Sequence, residues 1–356
     1  MKKTSLLILY SLPAPFFSDG RPDTIGQESV LSRLQAVQKA LYSLGYSIHT
    51  LEAQGELSAF LKKVRSVKAE VIFNLCEEFC GRSRLEMNVA ALLELLEIPF
   101  TGSSALVLGL SQDKGKTKSI LAHHGIPTPP YQVWMPGGDE RISGLQFPLI
   151  VKPMREDAGL GIDNNSFVRD EKSLKQRVRR IHKDYGQPAL VEEYIDGREL
   201  NVSILGNEVP HILPISEIDF SSLPPDLPKI CGYAAKWIEN SQEFICSVPL
   251  CPAPLSPEIE KRVKEVSLLS YRILECRDYG RVDLRLSPQG IPYVLEINAN
   301  PDISPDAGMT RSAKAAGFSY TEFIGRIVQI ARDRCASSPL PGSRSPKSSP
   351  ERAPRA

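Results

Sequence analysis

The sequence predicts a protein of mixed class, α/β at its start and α+β beyond, and three stretches carry that reading. Residues 5–12, an amphipathic segment 28–44 that ends at Gly45, and residues 47–51 have the patterns of strand, helix and strand. A continuous apolar strand at 71–75 and a helix at 84–96, with Leu85, Val89, Leu92, Leu93 and Leu96 on one face, extend this start into an open parallel α/β unit. Far along the chain, 281–286 and 293–298 alternate charged and apolar residues on either side of Ser287-Pro-Gln-Gly290. That is the pattern of a half-buried antiparallel hairpin.

Bulk properties narrow the function. A chain of 356 residues, 42% hydrophobic and 24% charged, can bury the cores of two or three domains. A net charge of +1 supplies no field to gather nucleic acid or anionic lipid, so neither is expected as a partner and any basic site must be local. The seven cysteines are scattered, and the close pair Cys76 and Cys80 has no matching pair downstream for zinc, which suits a reducing cytoplasm. The opening Met1-Lys-Lys-Thr-Ser-Leu-Leu-Ile-Leu-Tyr10 has the look of a secretory signal. Ser11 and Pro13 break its apolar run and no small-x-small site follows, so it reads as a first buried strand. No other stretch approaches membrane-spanning length.

In the middle of the chain, Ser111 is placed to cap a helix running to Gly125, with Lys114 in its first turns. A strand at 147–152 leads into Arg155-Glu-Asp-Ala-Gly-Leu-Gly161, whose glycines allow backbone amides to approach a ligand. A basic helix at 171–184 follows, then strands at 189–194 and 199–205 around an Asp196-Gly197 turn. Residues 207–254 are Pro-rich and aperiodic and read as a long loop region; helices are expected near 256–274 and 320–334. From 337 onward Ser, Pro and Arg dominate and a disordered tail is expected.

The hairpin suggests chemistry. If Leu286 faces Ile291 across the turn, Asp283 lies opposite Val294, Glu296 is its same-face diagonal neighbour, and Asn298 stands two residues further. Oxygen ligands without His or Cys suit a hard cation such as Mg²⁺, whose usual companion is a nucleotide. An amphipathic hairpin with its polar stripe in water has the same pattern. Three other features are equally two-sided. Lys152 fits a phosphate ligand or a solvated strand end, and 157–161 a phosphate loop or an ordinary turn. Val191-Glu-Glu-Tyr-Ile195 fits a nucleobase-binding strand or a plain edge strand. His123 and His124 read as a surface pair at a helix end.

The order of the elements reduces this ambiguity. Gln112-Asp-Lys-Gly-Lys-Thr-Lys118, Phe147-Pro-Leu-Ile-Val-Lys-Pro153, the glycine loop, Val191-Glu-Glu-Tyr-Ile-Asp-Gly-Arg-Glu-Leu200, Arg281-Val-Asp283 and Leu295-Glu-Ile-Asn-Ala-Asn-Pro301 together resemble the ATP-grasp superfamily, and within it the D-alanine D-alanine ligases. The resemblance runs from about 5 to 334. It implies an ATP-grasp fold behind a parallel α/β pre-ATP-grasp domain: 1–105 as that domain, 106–188 as a central subdomain carrying the glycine loop, 189–335 as the C-terminal domain, and 336–356 as the tail. It further implies that Lys114 and Lys152 hold ATP phosphates under Gly159 and Gly161, and that Glu192, Glu193, Tyr194 and Ile195 surround adenine. Glu199 would bind ribose, and Asp283, Glu296 and Asn298 would hold two Mg²⁺ ions, for which Mn²⁺ can substitute. Arg281 would reach the transferring phosphoryl group, and Lys236, in Tyr233-Ala-Ala-Lys-Trp237, would belong to a loop folding over the site. The reaction so implied joins a small-molecule carboxylate to an amine through an acyl phosphate, in a cytoplasmic enzyme that is reasonably a homodimer.

The substrate half departs from the family pattern. Glu28 stands about where the family keeps a glutamate for the amino group of its first substrate, although an exposed first-turn glutamate reads the same way. The family's His-Gly-x-x-Gly-Glu-Asp-Gly is replaced by Cys76-Glu-Glu-Phe-Cys-Gly-Arg-Ser-Arg84, and Ala158 takes the place of a serine. Gly-Met-Thr-x-x-Ser is delayed by an insertion bearing Asp302 and Asp306 before Gly308. These acids suggest an acceptor other than D-alanine, one that presents an amine or other cationic group to them; a solvated turn would read the same way. A true D-alanine D-alanine ligase, a kinase-like relative and a non-catalytic ATP-binding regulator are the remaining alternatives.

Overall fold

The computed structural model describes residues 4–13 and 24–337 and holds three sheets. The first is parallel: β1 (Ser5–Tyr10) lies between β2 (Ser47–Glu52) and β3 (Val71–Leu75), with α1 (Thr24–Ser43) and α2 (Leu57–Val67) as crossovers and α3 (Glu86–Leu95) after it. Alternation along β1 divides its side chains between two cores. Leu7 and Leu9 pack with Phe60, Val64 and Leu93. Leu6 and Ile8 pack with Val37 and Leu41 of α1 and with Phe323, Ile324 and Ile327 near the end of the chain.

Two helices lead out of this unit, α4 (Ala105–Gln112) and α5 (Lys114–His123). The expected cap at Ser111 is corrected here. Ser104 caps α4 by accepting from Val107 N, Ser111 sits within α4, and Asp113 caps α5 by accepting from Lys116 N. An aspartate between two helices can end one and start the next, because its carboxylate satisfies a first-turn N–H.

The second sheet is antiparallel, with β4 (Tyr131–Trp134), β5 (Leu149–Pro153), β6 (Phe167–Val168) and β7 (Ala189–Glu193) in the order β4-β7-β5-β6. α6 (Glu171–Tyr185) covers it through Leu174, Val178 and Ile181. The third sheet joins β8 (Arg198–Leu205), β9 (His211–Ile212), β10 (Ser216–Asp219), and, after the short helices α7 (Tyr233–Trp237) and α8 (Gln242–Cys246), β11 (Val248–Leu250). The stretch 207–254, expected as a long loop, therefore carries three short strands and two helical turns. After α9 (Pro257–Ile273) come β12 (Tyr279–Leu286) and β13 (Pro292–Asn298), then α10 (Gly308–Ala315) and α11 (Tyr320–Ser337). The tail expected from 336 begins inside α11, and 338–356 lie outside the described residues.

One buried carboxylate ties distant parts together. Asp278, fully buried, accepts from Gly102 N at 2.9 Å, from Asn207 Nδ2 at 3.1 Å, and from Arg334 Nε and Nη2 at 2.9 and 3.0 Å. The three partners come from the end of the parallel unit, the third sheet and α11. Removing one member of a buried, hydrogen-bonded ion pair leaves the other uncompensated. Asp278→Ala is therefore expected to cost roughly 3–5 kcal/mol, read as a lowered midpoint in chemical denaturation; an unchanged midpoint contradicts this assignment.

Candidate active site

The second and third sheets face each other across one cavity of about 890 Å³. On its floor, alternation of β12 sends Val282, Leu284 and Leu286 into the core and leaves Arg281, Asp283 and Arg285 on the cavity side. β13 pairs with β12 in a register that differs from the expected one. Asp283 lies opposite Glu296, not Val294, and Arg281 lies opposite Asn298. The register slips between Asp283 and Leu284, so Leu295 is an extra residue on β13 and the strand changes phase there. Val294 and Ile297 both reach the core, while Glu296 and Asn298 both line the cavity.

Asp283 is the centre of this face. It accepts from Arg281 Nε and Nη2 at 2.7 and 2.9 Å, from Asn298 Nδ2 at 2.9 Å, and from Asn201 Nδ2 at 2.8 Å. Asn201, its direct partner on β8, has no mark in the sequence to single it out. Glu296 stands 3.4 Å from Lys114 Nζ. Burial alone would raise its pKa, but Lys114, Lys152, Lys236 and Arg281 hold it well below the usual carboxylate range. Glu296 is thus an anion. Two carboxylates and an amide oxygen form a hard donor set, and among the described residues no cluster of three His, Cys, Asp or Glu side chains could hold a metal. The set suits a cation that also takes substrate oxygens and water, as Mg²⁺ does, with the Arg281 and asparagine contacts on Asp283 giving way to it.

The opposite wall carries the lysines. Lys152 at the end of β5 lies 2.6 Å from Glu192 Oε1, and Lys118 of α5, fully buried, lies 2.9 Å from Glu192 Oε2 and donates to Thr128 Oγ1 at 2.8 Å. Burial lowers the Lys118 pKa to about 8 against the opposing pull of Glu192. Sequence reasoning missed Lys118, although it sits one helical turn beyond Lys114. Glu192 therefore presents its carboxylate to two lysines, and its neighbours Glu193, Tyr194 and Ile195 continue along the cavity wall. Arg285 stacks over Tyr194, its guanidinium 5.2 Å from the ring, and donates to the Gly197 and Lys229 carbonyls. Glu199 pairs across the sheet with Arg285 and has a pKa raised by burial.

Two loops roof the cavity. Lys114 Nζ donates to Glu156 O at 2.6 Å and to Asp157 Oδ1 at 2.9 Å, pinning the start of the glycine loop, while Arg177 holds its far end through Gly161 O. The segment around α7 docks on it: Trp237 Nε1 donates to Ala158 O and Tyr233 N to Ile162 O, each at 3.0 Å. Gly159 has φ +79°, and a Cβ there would come within 3.0 Å of the Gly232 and Tyr233 backbone. The loop needs glycine to lie this close. Lys236 lines the cavity beneath; burial opposes its charge, but Cys231, Glu296 and Asp283 outweigh that and raise its pKa.

At the N-terminal end the structure differs from expectation. Glu28 is exposed on α1 and does not line the cavity. Arg33, buried, lies there instead, paired with Glu77 and 3.4 Å from Asp302, and Glu78 and Glu86 complete that wall. Asp302 also accepts from Ser304 N and Oγ at 2.9 and 2.6 Å, both on Oδ1, the oxygen that faces Arg33. Asp306 is exposed at the rim. Both acids line the cavity, as the sequence led one to expect. Gly308, at the start of α10, does line the cavity.

The comparisons with known proteins agree with this geometry. Residues 120–329 match the family model described as D-ala D-ala ligase C-terminus. A D-alanine–D-alanine ligase from Methylacidiphilum infernorum is 33% identical over 86% of this chain and 91% of its own. A protein of Sinorhizobium fredii called uncharacterized protein y4sG is 38% identical over 74% of this chain and 75% of its own. The crystal structure of D-alanine–D-alanine ligase from Bacillus anthracis complexed with ATP superposes with a TM-score of 0.74 at 24% identity, covering 94% of this chain and 100% of that one.

Two outcomes test this description. The chain has two tryptophans, and Trp134 is buried behind the second sheet. Any nucleotide-dependent change in intrinsic fluorescence should therefore come from Trp237 and vanish in Trp237→Phe; persistence of the signal contradicts the roof assignment. Glu86, half-buried in the cavity wall beside Asn300, has its pKa raised by burial from 4.5 to about 8. A carboxyl that keeps its proton when folded and loses it when unfolded weakens the fold as pH rises from about 4.5 to about 8. Glu86→Gln removes that penalty. It should gain stability over the natural protein on going from pH 5 to pH 8.5, by on the order of 1–3 kcal/mol in denaturant titrations. On the family model, the relatives and the fold together, the chain belongs to the D-alanine–D-alanine ligase family, ATP-grasp ligases that form carbon–nitrogen bonds.

Proposed function

We propose that this protein is an ATP- and Mg²⁺-dependent ligase that joins the carboxylate of one amino-acid-like molecule to the amine of another, the second being other than D-alanine. One observation carries the reading: four cations, Lys114, Lys152, Lys236 and Arg281, act on the half-buried Glu296 in one roofed cavity. A protein that only bound nucleotide would have little use for Arg281 and Lys236 there.

In this reading, the donor carboxylate attacks the γ-phosphorus of ATP, ADP leaves, and the acyl phosphate that forms meets the acceptor amine at its carbonyl carbon. The C–N bond forms as the C–O bond to phosphate breaks, and the amine gives up a proton. Both steps gather negative charge, and Lys114, Lys152, Lys236 and Arg281 are positioned beforehand to offset it in a site screened from water by the roof. Asp283, Glu296 and Asn298 would hold Mg²⁺, which neutralises phosphate charge when bound. No thiol step is involved, since burial pushes Cys231, the cavity's cysteine, up to about 11. Backbone groups of 193–195 and the Arg285–Tyr194 stack would receive adenine, with Glu199 on the ribose. The cytoplasm is the proposed location; no helix among the described residues is long and apolar enough to cross a membrane.

The acceptor reading rests on α10. With Gly308-Met-Thr310 in register with the family pattern, the serine three residues after the threonine is replaced by Ala313, which is buried. The donor's amino group would be met by the acids Glu77 and Glu78 in place of Glu28.

The deciding experiment measures ADP release with candidate pairs of amino acids and identifies the product by mass. Amide formation coupled to ADP is expected; efficient, selective formation of D-alanyl-D-alanine would overturn the acceptor reading. Glu296→Ala should lower turnover by about 100-fold or more while leaving the fold intact, since it removes both the metal oxygen and the charge that the lysines surround. Lys152→Ala should chiefly weaken ATP binding, seen as a raised KM for ATP.

A further inference from the structure

One buried charge behind the cavity has no part in the reaction described above. Lys118 of α5 is fully buried and, unlike Lys114 and Lys152, does not line the cavity. No substrate group reaches it. Its ammonium is held from two directions. It lies 2.9 Å from Glu192 Oε2, and it donates at 2.8 Å to Thr128 Oγ1, which in turn donates at 2.8 Å to Val294 O of β13. The Tyr131 ring stands beside it, its centre 5.9 Å from Nζ. Burying an ammonium group is costly unless its charge is matched, so a lysine in this position calls for a physical account.

Glu192 supplies that account. Its carboxylate, on a residue only 3% exposed, lies between two lysines: Oε2 faces Lys118, and Oε1 is 2.6 Å from Lys152 Nζ. Burial alone would raise its pKa, but the two lysines together bring it below its ordinary value, so Glu192 is an anion. Of these three residues, Glu192 and Lys152 line the cavity. When Lys152 turns from Glu192 toward a phosphate, the carboxylate loses one of its two cations. Lys118, fixed by Thr128, stays behind as the other. Without it, each binding of nucleotide would leave a buried carboxylate unpaired. We infer that Lys118 is a positioning residue for nucleotide binding: as the resident counter-ion of Glu192, it releases Lys152 to the phosphates of ATP. The inference rests on the reading of Lys152 as a phosphate ligand.

Binding of a non-hydrolysable ATP analogue with Mg²⁺ tests it, measured by calorimetry on the full chain, with the folding of each variant checked by chemical denaturation. Lys118→Met, which keeps the length of the side chain and removes its charge, should bind the analogue about tenfold or more weakly than the natural protein. In a Glu192→Gln background the same substitution should change affinity by less than about twofold, because no carboxylate then needs the counter-ion. A packing role would give the same loss in both backgrounds, since the same atoms are removed. That result, or undiminished binding by Lys118→Met, overturns the inference. If Lys118→Met does not fold alone, Glu192→Gln with and without Lys118→Met decides: equal affinity supports the counter-ion role, and a loss of about tenfold overturns it. Lys152→Ala separates the inference from the reading beneath it. If that variant binds the analogue as tightly as the natural protein, the phosphate reading of Lys152 fails and the inference falls with it. If Lys152→Ala weakens binding and Lys118→Met does not, the counter-ion role fails and the phosphate reading stands.

Discussion

The side chain on which the rest of the arrangement depends is Asp278. It sits without exposure at a left-handed backbone position, φ +64°, just before β12. Its two oxygens collect donors from a loop of the parallel unit, from the third sheet and from α11. A carboxylate buried this far is tolerable only when every lone pair is met, so its partners must all arrive together. That requirement sets the third sheet against the parallel unit, and Phe323, Ile324 and Ile327 of α11 complete the core on the other side of β1. The cavity is a consequence of this placement. Arg33 of α1 reaches Asp302 only because the parallel unit is held where it is.

Within the cavity, charge is arranged by strand register. β8, β12 and β13 place Glu199 beside Arg285, Asn201 beside Asp283, and Asn298 beside Arg281, so that acids, amides and arginines alternate across one sheet face. The bulge at Leu295 is what brings Glu296 onto that face directly opposite Asp283. Without it, β13 would keep Val294, Glu296 and Asn298 on the same side, and core and metal site would compete for one face. The opposing sheet then contributes Lys152, and α5 contributes Lys114 and Lys118, because Asp113 starts that helix at the cavity wall.

How much of this could be read from the chain follows from whether the determinant is local. The parallel unit was legible because its strands and helices carry their own periodicity, and β3 matches the expected 71–75 to the residue. Asp283, Glu296 and Asn298 were legible as a group because alternation marks each strand by itself; their register was not, since a bulge shows only when two strands are paired. Asn201 and Arg285 became visible only through pairing across some 80 residues of chain. Glu28 and Arg33 illustrate the same limit on a helix. Both lie on α1, and only the packing of that helix decides that Arg33 turns inward while Glu28 meets water. In 207–254 short strands escaped notice because two to four residues are too few to show a period.

The insertion before α10 shows how a substrate site can diverge while the chemistry beside it stays put. Contacts of Asp302 Oδ1 with Ser304 and Arg33 anchor the added turn against α1 at the cavity wall. Anchored there, the turn sets the start of α10, and so determines which residue of that helix faces Arg281. With Gly308 at the first position, no side chain projects there and Arg311, one turn on, can swing its guanidinium beside Arg281. The turn's own acids stay at the cavity's edge, Asp302 beside Arg33 and Asp306 beside Arg311, so the insertion adds charge of both signs to the wall it forms.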